Sequence, residues 1–413
     1  MRGWGHPRAT AAGEIRLNSS VAFPLEPPMS VRIASLSLAA LLGAACLGAQ
    51  TPSIKSPKPD NTTGVLRAER VATGLENPWG LAFLPDGQMI VTERAGRLRY
   101  VAKDGTLSAP VTGTPTVLFQ GQGGLLDVAV DPKFAQNKTI YLSFSEPGEG
   151  GTAGTAVARG RLNGGALTEV EVIYRQSPKV RSGNHYGSRI AFGKDGTLFV
   201  TAGDRFNQRP LVQDLSTGIG KIVRINPDGT IPKDNPFVGK AGTNEAIWSY
   251  GHRNLQGAVV DASGKLWTLE HGARGGDELN HPEAGKNYGW PVITYGVDYS
   301  GVKIGEGTEK AGMEQPVYYW DPVIAPSAII VYSGDKIPGW KGNFVIGGMG
   351  AVNGLVRLVM QNGVVVKEER HLGELGLRIR DVQQGPDGFV YITTEKTSKD
   401  EQGQIFRVRP ATR

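Results

Sequence analysis

Residues 190–201 read Ile190-Ala191-Phe192-Gly193-Lys194-Asp195-Gly196-Thr197-Leu198-Phe199-Val200-Thr201, and this stretch decides the fold. A short apolar run meets an Asp-Gly turn, and a second run rich in β-branched and aromatic residues follows, which is the pattern of a β-hairpin. The phrase recurs along the chain. Upstream stand Gly80-Leu81-Ala82-Phe83-Leu84-Pro85-Asp86-Gly87-Gln88-Met89-Ile90-Val91-Thr92 and Val128-Ala129-Val130-Asp131-Pro132-Lys133-Phe134, the latter continued by Thr139-Ile140-Tyr141-Leu142-Ser143-Phe144. Downstream stand copies beginning at Ala258, Gly339 and Val382. One such unit cannot bury both of its faces, so repeats of it pack against one another. Six copies predict an all-β chain, a six-bladed β-propeller of four-stranded antiparallel blades over residues 66–410, against the alternatives of a β-sandwich or a solenoid. Long insertions follow Gly203 and Gly289, and in a propeller these become loops on one face, where ligands are met.

The whole chain agrees with that class. Its 413 residues hold 58 Gly and 26 Pro with 39% hydrophobic residues, a mixture suited to many strands and turns. The formal net charge is +6, but Lys and Arg are dispersed without a basic tract, which argues against nucleic acid and leaves an anionic small ligand compatible.

From Met29 to Ala49 one arginine precedes a short apolar run and small residues, the pattern of a signal peptide. Residues 1–28 are polar and proline-containing, so translation is expected to start at Met29. Residues 50–65 read as a linker. No later stretch reaches the roughly 20 apolar residues of a membrane span, so a periplasmic or secreted protein is expected. The single cysteine, Cys46, excludes an internal disulfide and offers a lipid-anchor site as the alternative to simple cleavage near Ala49.

Chemistry-bearing residues concentrate in a few short stretches. His185, among Gly183, Gly187 and Ser188, can approach a substrate closely and act as a general base, or serve as a structural hydrogen-bonding residue. Asp204, just after a predicted strand, can orient that imidazole or cap a turn. Arg378 and Arg380 alternate on one strand face and suit bidentate pairing with ligand carboxylates. The Gly272–Glu278 loop, rich in glycine and carboxylates, can gather oxygens around a hard cation such as calcium or form a tight turn.

Taken together, three phrases carry a resemblance: Gly251-His252-Arg253-Asn254-Leu255-Gln256-Gly257; Gly275-Gly276-Asp277-Glu278-Leu279-Asn280 leading to Asn287-Tyr288-Gly289-Trp290-Pro291; and Arg378-Ile379-Arg380-Asp381. They resemble the soluble pyrroloquinoline quinone (PQQ)-dependent sugar dehydrogenases, in particular the aldose sugar dehydrogenase branch, over about Ala68 to Val408. The resemblance implies a six-bladed propeller that oxidises an aldose at its anomeric carbon to the lactone. It implies PQQ at the central axis, calcium as its Lewis acid, and a separate electron acceptor. His185 is then the base, with hydride passing to the calcium-bound quinone; Asp204 orients the base, and Arg253 is the cation at the developing quinone charge. Gln122, Arg253, Asn254, Tyr299, Arg378 and Arg380 would contact the cofactor. Backbone carbonyls of Gly272 and Ala273 would bind calcium there, and Glu278 with Tyr288 a second calcium.

One departure stands out. Where the family carries a lysine in the fifth-blade strand, this chain reads Gly347-Gly348-Met349-Gly350-Ala351-Val352-Asn353. The loss removes a cation from the expected cofactor site. Two rival functions remain: a calcium-dependent propeller lactonase, which gives no reason for Arg253, Arg378 and Arg380, and a noncatalytic propeller that binds carbohydrate or protein.

Overall fold

The computed structural model describes residues 59–350, 354–395 and 402–411. The expected signal peptide, Cys46 and most of the linker lie outside them. In the Ile190 phrase, the Asp195 carboxylate accepts the Thr197 N–H and hydroxyl at 3.0 and 2.7 Å. Gly196 takes φ +83°, a conformation cheap only for glycine, so the turn closes as the sequence predicts. The flanking runs become paired antiparallel strands, Gly187–Phe192 and Leu198–Ala202.

Each hairpin begins a blade. Six sheets follow in chain order, with innermost strands Pro78–Phe83, Leu125–Val130, Gly187–Phe192, Leu255–Val260, Pro326–Val331 and Ile379–Gln384. Each innermost strand packs against the next, and the sixth against the first, which closes the ring. Four blades carry four antiparallel strands. The first has three, and the fifth gains a parallel fifth strand, Asp60–Thr62, beside Val364–His371. The outermost strand of blade six, Leu66–Leu75, comes from the chain's front and pairs with Gly403–Pro410, so the ring is tied shut by hydrogen bonds between distant segments. Among the described residues no helix is long and apolar enough to cross a membrane.

Apolar faces of neighbouring blades interdigitate. Between blades four and five, Trp267, Leu269, Ile329, Phe344 and Ile346 form one buried cluster, each such side chain contributing about 1.5–3 kcal/mol of burial. Toward the axis the packing turns polar. Hydroxyls near the ends of second strands reach the next blade: Thr92 donates to the Leu126 carbonyl, Ser143 to Ser188 at 2.6 Å and Thr201 to Leu255 at 3.2 Å. Blade five has Gly347 at this place, where a Cβ would meet Ser327 Oγ at 2.6 Å, and Ser327 makes the stitch instead, to the Ile379 carbonyl.

At the axis Arg189 joins all six blades. It pairs with Asp127 and Asp381 at 3.0 Å each, donates to the carbonyls of Gln256, Ser327 and Arg380, and lies 4.2 Å over the Trp79 ring. Burial, opposed by Arg189's charge, pushes the Asp127 carboxyl up to about 6. This polar plug separates the two ends of the channel, and the functional loops lie above it.

Candidate active site

The His185 and Asp204 loops meet through glycines. A Cβ on Gly203 would stand 2.3 Å from the His185 carbonyl, so only glycine allows the approach. His185 itself sits at φ +53°, and its N–H donates to Gln122 Oε1 at 2.8 Å. In this geometry His185 Nδ1 lies 2.7 Å from Asp204 Oδ1. Because a carboxylate only accepts, the proton is on Nδ1, and Nε2, without a hydrogen-bond partner among the described residues, keeps its lone pair. Burial lowers the His185 pKa further than the Asp204 bond raises it, so the ring is neutral at neutral pH.

Asp204 is over-determined. Oδ1 also accepts the Phe206 N–H at 2.8 Å, and Oδ2 accepts the Trp290 indole N–H at 2.8 Å. Burial would raise its pKa, but the His185 hydrogen bond, the nearby charge of Arg253 and the Phe206 N–H outweigh it and hold the carboxylate below its ordinary range. Trp290 is in turn flanked by the guanidinium groups of Arg209 and Arg253, each 5.3 Å from its ring.

Beside this pair opens an axial cavity of about 270 Å³. Four of the expected cofactor residues line it: Gln122, Asn254, Arg378 and Arg380. Trp79, Arg94, Gln256, His271, Met349 and Glu395 also line it. Arg378 and Arg380 both reach Glu395, at 3.3 Å and in a shorter contact. Despite burial, those arginines hold the Glu395 carboxyl below its usual range. His271 is half-buried, its pKa pushed down to about 3 chiefly by loss of hydration, with Nε2 donating to the Pro326 carbonyl at 2.8 Å.

Arg253 lies outside that lining, in a second pocket with Glu270, Gly272, Glu278 and Trp290, and His271 borders both. Arg253 Nη1 donates to the carbonyls of His271, at 2.9 Å, and Gly272; its Nη2 lies 3.3 Å from the Tyr299 hydroxyl; its Nε is buried without a partner. The carbonyl of Gly272, an expected calcium ligand, thus already faces a cation. Ala273 is buried beside it. Gly272 is tightly enclosed, a Cβ there meeting the Gly275 and Gly276 carbonyl oxygens at 2.2 and 2.3 Å. Tyr299 is 59% exposed on the insertion loop and reaches the site only through Arg253.

Glu278 faces Glu270 across paired strands. Burial, and then the charge of Glu270, raises the Glu278 pKa well above its ordinary value. Tyr288 uses its hydroxyl on the His281 carbonyl and the Glu283 N–H, at 2.6 and 3.0 Å, which leaves its backbone carbonyl as the oxygen it can offer a cation. Among the described residues no three His, Cys, Asp or Glu side chains cluster as metal ligands, so any cation here would depend on carbonyls.

Sequence reasoning missed Arg94, Glu395 and the Trp290–Asp204 bond. The signal for the first two was in the repeat: Arg94, Glu270 and Glu395 each stand two residues past the threonine that ends its hairpin phrase, at Thr92, Thr268 and Thr393. That position lies at the cavity end of each blade. The Trp290 bond spans 86 residues and leaves no local trace.

Fold and cavity define a propeller with an arginine-lined cavity on its axis and, next to its lining residues Gln122 and Tyr186, a neutral histidine held by a carboxylate. The chain belongs to the Glucose / Sorbosone dehydrogenase family, whose sequence profile matches residues 75–407, and is an oxidoreductase. It is 47% identical over 343 residues to the aldose sugar dehydrogenase YliI of Escherichia coli, covering 81% of this chain and 91% of that protein. The apo form of the soluble aldose sugar dehydrogenase from Escherichia coli superposes with a TM-score of 0.80 at 44% identity, over 84% of this chain and 99% of that one. The PQQ-bound aldose sugar dehydrogenase of Streptomyces coelicolor superposes with a TM-score of 0.69 at 28% identity, over 83% and 98%.

Proposed function

We propose that this chain oxidises an aldose at its anomeric carbon to the lactone, using PQQ and calcium, and passes electrons to a separate acceptor. The observation that carries the reading is a neutral His185 fixed through Nδ1 on Asp204 beside an arginine-lined cavity. A rigid, flat, three-carboxylate ligand fits the donor set: guanidinium forks for carboxylates, amides for its polar edge, Trp79 as an aromatic wall. Arg378, Arg380, Gln122 and Asn254 would hold it, with Arg253 and the Gly272 and Ala273 carbonyls at its metal side. Glu278 and the Tyr288 carbonyl would hold a second calcium, whose charge would offset the buried Glu270–Glu278 pair.

What PQQ supplies when bound is two-electron acceptance at its quinone, assisted by calcium as a Lewis acid. The chain's own residues do the rest. His185 Nε2 takes the proton of the anomeric hydroxyl, Asp204 stabilises the imidazolium that results, and Trp290 and Phe206 keep Asp204 from turning. Arg253 places a fixed positive charge near the His185–Asp204 pair. Export through the Met29–Ala49 signal, with residues 50–65, of which Asp60–Thr62 pair into blade five, leading to the 66–410 catalytic domain, would put the enzyme in the periplasm or outside the cell, with Cys46 as an optional lipid anchor.

The test is reconstitution. Cofactor-free protein should gain aldose-dependent dye reduction only when PQQ and calcium are both added, and His185→Ala should abolish it while still binding PQQ. Lactone hydrolysis without PQQ, or no PQQ binding, would overturn the reading.

A further inference from the structure

Among the described residues the fifth blade offers no cation to the axial cavity where the family's lysine is expected. Its wall there is Met349, and Gly350 follows with its Cβ position 3.0 Å from the Ile324 carbonyl carbon and oxygen and 3.2 Å from Ala325 Cβ. Such contacts are tight, so a side chain at 350 would need Ile324 or Ala325 to give by a few tenths of an ångström, and the glycine here presents no charge to the cavity. An anionic ligand in the cavity must find its charge partner elsewhere.

Arg94 meets the requirement. It follows the second strand of blade one and lines the cavity. Its backbone is fixed by hydrogen bonds to Asn77 and Leu125, both 3.0 Å. Its guanidinium is held from behind: Nε and Nη2 donate to the Gly123 carbonyl at 3.3 and 3.1 Å, Nη2 also donates to Gly121, and the Phe119 ring lies 5.3 Å away. These partners orient the fork without cancelling its charge. Arg378 and Arg380 already pair with Glu395, and Arg189 with two aspartates, whereas Arg94 forms no salt bridge with a carboxylate among the described residues. Burial lowers the Arg94 pKa, and the charge of Arg380 lowers it further, against a smaller opposing effect of Glu395, so the two guanidinium groups repel across this space. A carboxylate between them relieves that repulsion.

We propose that Arg94 is a carboxylate-binding residue for the anionic cofactor, supplying the charge contact that the lysine-free fifth blade does not. This rests on the PQQ reading above. Its Nη1 makes no hydrogen bond among the described residues and is the donor available to the ligand. Glu395 completes the device, because it forms its ion pairs with Arg378 and Arg380, and Arg94 has no such pair among the described residues.

The experiment is a direct titration of the full cofactor-free chain, with calcium, by quenching of tryptophan fluorescence, since Trp79 lines the same cavity. Two probes are used, PQQ and its trimethyl ester, against wild type, Arg94→Gln and Arg94→Lys. Loss of one charge-assisted contact should weaken PQQ binding on the order of 10- to 100-fold in Arg94→Gln, with partial recovery in Arg94→Lys and a shallower dependence on salt. The ester, lacking carboxylates, should bind wild type and Arg94→Gln alike. Equal weakening of acid and ester would mean that Arg94 only braces the Gly121–Gly123 loop, and overturns the proposal. Unchanged PQQ affinity in Arg94→Gln overturns it while leaving the dehydrogenase reading intact. A wild-type chain that binds no PQQ overturns both.

Discussion

Replacing Asp204 by Asn tests the His185 geometry most directly. Three N–H donors converge on the two oxygens of Asp204: His185 Nδ1 at 2.7 Å, Phe206 N at 2.8 Å and Trp290 Nε1 at 2.8 Å. An asparagine has one oxygen and an NH₂ group. With the oxygen toward Trp290, the NH₂ faces His185 and forces its proton from Nδ1 to Nε2, which removes the lone pair that acts as base. With the oxygen toward His185, the NH₂ opposes the indole N–H, and two buried donors are left unsatisfied at about 1–3 kcal/mol each. The other arrangement leaves one donor unsatisfied, the Phe206 N–H, so the productive arrangement is about 1–3 kcal/mol uphill, and kcat should fall by roughly 5- to 150-fold. The assay is dye reduction by PQQ- and calcium-reconstituted protein with an aldose, alongside PQQ titration to show that cofactor binding persists. An Asp204→Asn enzyme with kcat within threefold of wild type and normal cofactor affinity would refute the reasoning.

Other expectations are independent of that one. Trp290→Phe keeps the ring but removes the donor to Asp204 Oδ2; kcat should drop about tenfold, the typical worth of one bond to a charged group, and the acid limb of the kcat/KM profile should move to higher pH because Asp204 then attracts the imidazolium more strongly. In the wild type that limb should lie below 6.5, since burial lowers the His185 pKa, and activity should be level above it. The folded-state pKa of Glu278 is raised, so its protonated form is favoured and the fold loses stability as pH rises from the ordinary glutamate range through that raised value. Calcium should therefore raise Tm more at pH 7.5 than at pH 5, and Glu278→Gln should raise the calcium-free Tm at pH 7.5 while abolishing the calcium response, both measured by calorimetry. Arg189→Met leaves Asp127 and Asp381 buried without their cation; a loss of about 3–5 kcal/mol should appear as a lowered urea midpoint, and an unchanged midpoint would deny Arg189 its place as the axial tie.

The sequence by itself determined the repeating unit and the chemistry available to it. Turn residues such as Asp195-Gly196 and period-two apolar runs are local signals, and local hydrogen bonds and burial decide hairpins, so six copies were legible as six blades. The types of the site residues were also legible, because His185, Asp204, Asn254 and the Arg378/Arg380 pair stand in glycine-rich or strand-edge settings that suit those jobs. Tertiary structure alone decided what depends on ring closure. It set the three-stranded first blade, the parallel strand Asp60–Thr62 on the fifth, and the pairing of Leu66–Leu75 with the far end of the chain. It also decided which charges face one another. Glu395 meets Arg378 and Arg380 because their strands pair within blade six, whereas Trp290 fixes Asp204, and Arg94 comes to face that ion pair without a carboxylate of its own among the described residues, because different blades meet above one axis. Electrostatic balance is a property of distance in space, and separations of 15 to 86 residues along the chain carry no record of it.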